Sequence, residues 1–206
     1  KDPKYQYNLG SFHLNNNELD QAVRAFNRAL ELEPRLHLAH NGLGLVHSLK
    51  GDLPAAAKAF EKCLEVSPQF TEARNNLGMT YQELGYLDKA EAEYKKAVAD
   101  LTYQTRELPY YNLARLYLAK GLNETALETV QKALLANSNM VLAYNLKGMI
   151  LEKMERYPEA ITAYEVAVRR VPDEVSFAFN LAVACYKAGE RDQARTAFEE
   201  LLLKLT

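Results

Sequence analysis

The sequence predicts an all-α solenoid of six helix-turn-helix repeats. Three observations carry that expectation. A small residue is followed twelve positions later by alanine six times over: Gly10 and Ala22, Gly44 and Ala56, Gly78 and Ala90, Ala114 and Ala126, Gly148 and Ala160, Ala182 and Ala194. The first members lie 34, 34, 36, 34 and 34 residues apart. Within each period, apolar residues recur at three- and four-residue spacing in two runs, the mark of two amphipathic helices.

The repeats are taken in order. The first (approximately 3–36) sets Leu9-Gly10 in its first helix, Ala22, Phe26 and Ala29 in its second, and closes at Pro34. The second (37–70) has Leu43-Gly44, the turn Lys50-Gly51-Asp52, Pro54 opening its second helix, then Ala56, Phe60, Cys63 and Pro68. The third (71–104) has Leu77-Gly78, Gly85, Ala90, Tyr94 and Ala97, and the fourth (107–140) has Leu113-Ala114, Gly121, Ala126, Val130 and Ala133. The fifth (141–174) has Lys147-Gly148, Pro158, Ala160, Tyr164, Ala167 and Pro172. The sixth (175–206) has Leu181-Ala182, Gly189, Ala194, Phe198 and Leu201. Glycine punctuates the hairpin, and proline is tolerated at a helix start because the first N–H groups have no partner there. First helices are expected near 4–16, 37–50, 71–84, 106–120, 141–154 and 175–188, second helices near 19–32, 53–66, 87–99, 123–136, 157–170 and 191–204. One hairpin cannot bury its apolar face alone, so the repeats stack, and 1–206 reads as a single repeat domain without a linker.

Composition narrows the function. The formal net charge is -2, without the basic excess of a phosphate-binding domain, so nucleic acid is not the expected partner. Hydrophobic residues at 48% suffice for a continuous core. No apolar run approaches the ~18 residues of a spanning helix. The chain opens on Lys1-Asp2-Pro3, which leaves room for a removed export signal before it. Cys63 and Cys185 fall in the second and sixth repeats, too far apart to pair, and are expected as free thiols.

These columns and their 34-residue period resemble the tetratricopeptide family, and the resemblance covers about Lys4 to Leu203. It implies a right-handed superhelix that binds other proteins and performs no catalysis. The one break in the period, Asp100-Leu101-Thr102-Tyr103-Gln104-Thr105-Arg106, adds two residues between repeats three and four. By itself it reads as a tolerated loop insertion. It also resembles a D-x-x-Y-x-x-R element of the PilF/PilW/Tgl group of type IV pilus lipoproteins, at Asp100, Tyr103 and Arg106 and followed by Asn112-Leu113-Ala114. That resemblance implies a pilotin: an outer-membrane lipoprotein facing the periplasm that assists assembly of the pilus secretin and holds a secretin segment. The lipid-bearing cysteine of that group is absent here, so the expected anchor lies upstream of Lys1. The alternative is a generic peptide-binding scaffold or co-chaperone of an unrelated process, with a cytoplasmic location.

No constellation points to chemistry, and no cofactor or metal is expected. His13, His37, His40 and His47 lack a converging thiolate or carboxylate set and are read as packing residues. Gly42-Leu43-Gly44 lies within a helix, not after a strand. Glu61, Glu91 and Glu124 are read as solvated, and Lys147, in a leucine column, as a packed stem with its ammonium in water.

The binding surface is expected on the concave side, lined by the first helices. The residue after the small column gives Ser11, Leu45, Met79, Arg115, Met149 and Val183. The residue three before it gives Tyr7, Asn41, Asn75, Tyr111, Asn145 and Phe179, and the residue two before it includes Asn8, Asn76, Asn112 and Asn180. Amides can hold peptide backbone, and methionine offers adaptable apolar contact. Equally, the asparagines can satisfy one another with the methionines in the core. Arg115, with Lys4 and Lys187 near the edge, is too little cationic charge for a carboxylate clamp.

Overall fold

The structure, a computed structural model, describes residues 2–205, and side chains for residues 2–203. Among the described residues there are twelve α-helices and no strand. They are α1 (Pro3–Asn15), α2 (Leu19–Leu32), α3 (His37–Leu49), α4 (Leu53–Val66), α5 (Thr71–Glu83), α6 (Leu87–Ala99), α7 (Glu107–Ala119), α8 (Asn123–Ala136), α9 (Val141–Lys153), α10 (Tyr157–Arg170), α11 (Val175–Ala188) and α12 (Arg191–Leu205). Each expected helix is present, with its ends within one residue of expectation. Where the sequence reads as one repeat domain, the chain divides into two compact units, Lys1–Gln104 and Thr105–Thr206, three repeats in each. The division falls in the lengthened turn.

The hairpins close in one way throughout. A residue with left-handed backbone follows each first helix: Asn17, Gly51, Gly85, Gly121, Glu155 and Gly189. The next N–H then bonds back to the carbonyl five residues earlier, from Glu18 to His13, Asp52 to His47, Tyr86 to Tyr81, Leu122 to Tyr117, Arg156 to Leu151 and Glu190 to Cys185, at 2.8–3.0 Å. This is the Schellman closure, which satisfies carbonyls that the helix end leaves orphaned. Glycine adopts this backbone without a steric penalty and asparagine tolerates it, but Glu155, at φ 59°, does so under strain. Second helices start with help from sequence in places: Asp52 Oδ1 accepts from the Ala55 N–H at 3.2 Å, and proline occupies the first turn of α4 and α10.

Packing follows from the small and aromatic columns. A Cβ added at Gly10, Gly78 or Gly148 would stand 2.6, 2.6 and 2.5 Å from the rings of Phe26, Tyr94 and Tyr164, closer than carbon atoms pack, and Gly44 bears on Phe60 likewise. The ring therefore presses on the backbone of its partner helix at the place a Cβ would fill. In repeat four the ring is replaced by Val130, and the small residue grows from glycine to Ala114; both are fully buried. The tyrosine hydroxyls pass through the core to polar ends, Tyr94 to Gln82 and Tyr164 to Glu152, each at 3.1 Å. Adjacent repeats share their cores: Ala22, Phe26 and Ala29 of repeat one pack with Ala39, Leu43 and Val46 of repeat two. Gly42 makes that contact close, since a Cβ there would meet the Phe26 ring at 2.5 Å.

Two expectations follow. Glu155→Gly relieves the left-handed strain and raises stability by about 1 kcal/mol, net of glycine's larger entropy loss; chemical denaturation measures it, and an unchanged midpoint refutes it. Val130→Phe overfills repeat four and destabilises it by about 1–3 kcal/mol. Adding Ala114→Gly to the same chain recovers part of the loss, as a shift in thermal midpoint.

Candidate protein-binding site

Within each unit the first helices also touch one another, α1 with α3 and α3 with α5, α7 with α9 and α9 with α11. Among the described residues the second helices touch only their neighbours in the chain. The first helices therefore form the tighter inner row, the side on which the sequence places the binding columns.

In the first unit the inner row is more apolar than the sequence implies. Asn41 and Asn75 are buried, not free at the surface. The Asn41 amide donates to Glu72 Oε1 at 3.1 Å, and Asn75 Nδ2 lies 3.9 Å from Met79 Sδ. Tyr7 is half-buried and tilts against Phe26 at 5.9 Å, while Asn8 is exposed. Leu45, half-buried, packs on the core of repeats two and three. With Leu49, Asn76 and Met79 it lines a hollow of about 240 Å³ floored by Phe60 and edged by Glu83. Leu49 and Met79 are 63% and 39% exposed, so apolar surface is offered to a partner at this point.

In the second unit Asn112 is buried, a further correction to the expected amide surface. Asn180 Nδ2 donates to Asn145 Oδ1 at 2.9 Å, and Asn145 Nδ2 lies 3.7 Å from Met149 Sδ, so these amides bridge α9 and α11. Arg115 is exposed and stacks over Tyr111, 5.8 Å from the ring centroid. Burial raises the Tyr111 phenol above its usual range, with the Arg115 charge opposing. Met149 and Phe179 are exposed.

The lengthened turn is a built structure. Thr71, buried at the start of α5, donates its hydroxyl to Asp100 Oδ2 at 2.5 Å, and Thr102 gives Asp100 Oδ1 its N–H at 2.9 Å and its hydroxyl at 2.6 Å. Asp100 thus ties the end of α6 to the start of α5 in its own repeat. The Thr102 and Thr71 hydroxyls hold its carboxyl down from the ordinary 3.8 to about 2. Tyr103 is half-buried and its N–H reaches the Asp100 carbonyl at 3.4 Å. In the second unit Arg106, half-buried before α7, bonds to the Tyr110 hydroxyl at 3.3 Å and lies 5.7 Å from the Tyr110 ring centroid.

The histidine expectation needs correction. His13 and His47 are not core residues. They sit half-buried at helix ends beside the turn carboxylates, His13 Nδ1 at 2.5 Å from Glu18 and His47 Nδ1 at 3.9 Å from Asp52. The five-residue His-to-carboxylate spacing across the turn was the available signal. His40 meets the Pro34 carbonyl at 3.0 Å, and His37 packs edge-on against Phe70. Nor is Glu61 simply solvated: it accepts from the Tyr81 hydroxyl at 2.6 Å, while Glu91 pairs with Lys95 at 2.7 Å. Both cysteines are free and buried, and burial pushes the Cys63 thiol up to about 12, which keeps it unreactive. Among the described residues no group of three His, Cys, Asp or Glu is placed to hold a metal, and no helix is long and apolar enough to cross a membrane.

Two tetratricopeptide repeat profiles match residues 7–69 and 49–102, and the profile of the C-terminal ARM domain of tetratricopeptide repeat protein 21 matches residues 99–202, just over half the chain. The chain is a tetratricopeptide repeat protein. Among curated relatives, the uncharacterized protein ycf37 of Cyanophora paradoxa is 32% identical over 101 residues, 47% of this chain and 59% of that protein. The match thus spans about three-fifths of that relative's length. Among solved structures, Pseudomonas aeruginosa PilF is 22% identical at a TM-score of 0.87, over 97% of this chain and 90% of PilF. PilW, a widely conserved type IV pilus biogenesis factor, is 19% identical at 0.88, over 99% of this chain and 98% of PilW. YrrB, a tetratricopeptide protein with an unusual peptide-binding site, is 19% identical at 0.70, over 88% of this chain and 93% of YrrB. At such identity the likeness speaks to the fold. A tetratricopeptide fold is a scaffold for protein–protein interaction, and the exposed apolar residues of the inner row fit that role.

The Asp100 tie has a pH signature. Its folded carboxyl lies below its unfolded one, so its contribution is complete above about pH 4 and lost as pH falls through about 2. Asp100→Asn is therefore less stable than the parent at neutral pH, and the gap between their thermal midpoints closes between pH 4 and pH 2. A gap constant across that window contradicts the assignment.

Proposed function

We propose that this tetratricopeptide protein is a pilotin-type assembly factor, which holds a segment of an outer-membrane secretin while the secretin ring forms in type IV pilus biogenesis. The observation that carries this reading is the lengthened turn at Asp100, Tyr103 and Arg106, set between repeats three and four of a six-repeat chain. Near full-length similarity in fold to PilF and PilW supports it. On this reading the protein faces the periplasm from the outer membrane, anchored by a lipid upstream of Lys1. The secretin segment lies along the inner row, its apolar side chains entering the hollow at Leu45, Leu49 and Met79. Several of the asparagines are engaged within the fold, Asn41 with Glu72 and Asn180 with Asn145, so recognition rests more on apolar contact, with Arg115 as an exposed cation.

The experiment is assembly of the secretin encoded in the same genome, with and without this protein, read as the fraction of heat-resistant multimer. The protein raises that fraction and co-purifies with the secretin. Failure of both removes the pilotin reading and leaves a peptide-binding scaffold of another process, the class to which YrrB's peptide-binding site belongs. Leu49→Glu with Met79→Glu abolishes binding, since each glutamate must be desolvated without a counter-ion when the segment docks. Helix content by circular dichroism stays unchanged, because both positions are exposed in the free protein. Lys58→Glu, exposed on α4, binds normally. Full binding by the double variant places the contact elsewhere.

A further inference from the structure

Within the two units, repeats join by one kind of contact, a second helix on the first helix of the next repeat: α2 on α3, α4 on α5, α8 on α9 and α10 on α11. The first helix enters this joint with the residue five before its small column and the residue two after it. These are Ala39 with Val46, Ala73 with Thr80, Ala143 with Ile150 and Phe177 with Ala184, all at 0–5% exposure. Ala39 and Val46, for example, share a core with Phe26 and Ala29 of α2.

In α1 the same two positions hold Tyr5 and Phe12, and they are 62% and 60% exposed. Terminal repeats of a solenoid ordinarily turn a polar face outward. Here two aromatic rings, two helical turns apart, stand in columns that are otherwise buried. The second-helix half of the joint is open at α12. Its ring, Phe198, is half-buried, where Phe26, Phe60 and Tyr164 are at most 1% exposed. Leu202 is 62% exposed, although Leu30 and Leu64, in its column, pack on the cores that join repeats one to two and two to three. Among the described residues α1 meets only α2 and α3, and α12 meets only α11.

We propose that a second copy of this chain covers these faces, with α12 of one copy stacked on α1 of the next, so that Tyr5 and Phe12 close over Phe198 and Leu202. The occupant is a second copy because the chain carries both halves of one further joint, and the joint itself is already built four times within it. Phe177 shows that the Tyr5 position takes an aromatic ring and buries it. Phe12 is larger than Val46 or Ile150, so the joint between copies is looser than those inside the chain and forms reversibly. The contact pairs two different faces, so each copy added leaves one of each kind open, and assembly grows with concentration. It sets several inner rows side by side, which strengthens the hold on any partner that reaches more than one. This inference stands apart from the identity of the inner-row segment.

The experiment is sedimentation velocity of the protein from micromolar to millimolar concentration. The parent moves from monomer to dimer and larger species. Tyr5→Glu with Phe12→Glu weakens association by at least about tenfold, because a charge must shed its water to enter the joint, and Leu202→Glu does the same from the other face. Circular dichroism stays unchanged in both variants, since all three residues are exposed in the single copy. The deciding sample is an equal mixture of the two variants. Each retains the face the other lacks, so the mixture forms a one-to-one dimer and nothing larger. A parent that stays monomeric throughout, a variant that assembles like the parent, or a mixture that stays monomeric overturns the proposal.

Discussion

The architecture depends on one close approach: an aromatic ring pressed against the backbone of the neighbouring helix. At Gly10, Gly44, Gly78 and Gly148 the ring occupies the space where a Cβ would stand. That contact fixes the separation and tilt of the hairpin, because tightly packed interiors leave no slack to absorb a displaced ring. The alanines at 22, 56, 90, 126, 160 and 194 are all buried, so the second helix is held close along its length. Once every hairpin has similar geometry, stacking hairpins within a unit repeats one offset, and the first helices are drawn together as the inner row.

Much of this was legible in the sequence, because six copies of one pattern average out local noise. A lone Gly-to-Ala spacing means nothing, but six in register locate each helix end to a residue. Burial depth within a face was harder to read. A period places Asn41, Asn75 and Asn112 on the inner side of their helices, but it does not tell whether the next helix covers them. They are covered, because the inner row is the tighter one. The histidines failed for a related reason. His13 and His47 occupy a slot filled by Tyr81 in the third repeat, and a shared slot resembles core; in fact the histidines border the turn carboxylates Glu18 and Asp52, and Tyr81 reaches Glu61 of α4. The division at the lengthened turn had no signal beyond the two added residues.

The candidate site combines rigid placement with adaptable contact. Each unit offers one unbranched thioether among its exposed apolar residues, Met79 in the first and Met149 in the second, and in the second unit the Asn180 to Asn145 hydrogen bond joins the helices beneath it. Flexible thioethers on a fixed frame accept side chains of varied shape, which suits a protein that grips a short segment more than one that reads a strict motif. Where the spacing changes, Asp100 ties the end of α6 to the start of α5 with three threonine hydrogen bonds, in place of the proline turn used after repeats one, two and five.

The exchange of size between Ala114 and Val130 bears on how such a chain changes over time. Elsewhere the pair is glycine with a ring, or Ala182 with Phe198; in repeat four both members have moved toward the middle of the range. Where the small member is glycine, enlarging it alone collides with the ring, and shrinking the ring alone leaves a void; repeat six keeps alanine with a ring, and there Phe198 is only half-buried. Because both members lie in one repeat, sixteen residues apart, a duplication that copies a repeat carries the matched pair with it. Whole-repeat gain is therefore the smoother mutational route for this architecture, and lineages that alter a single column are expected to show paired substitutions at these two positions.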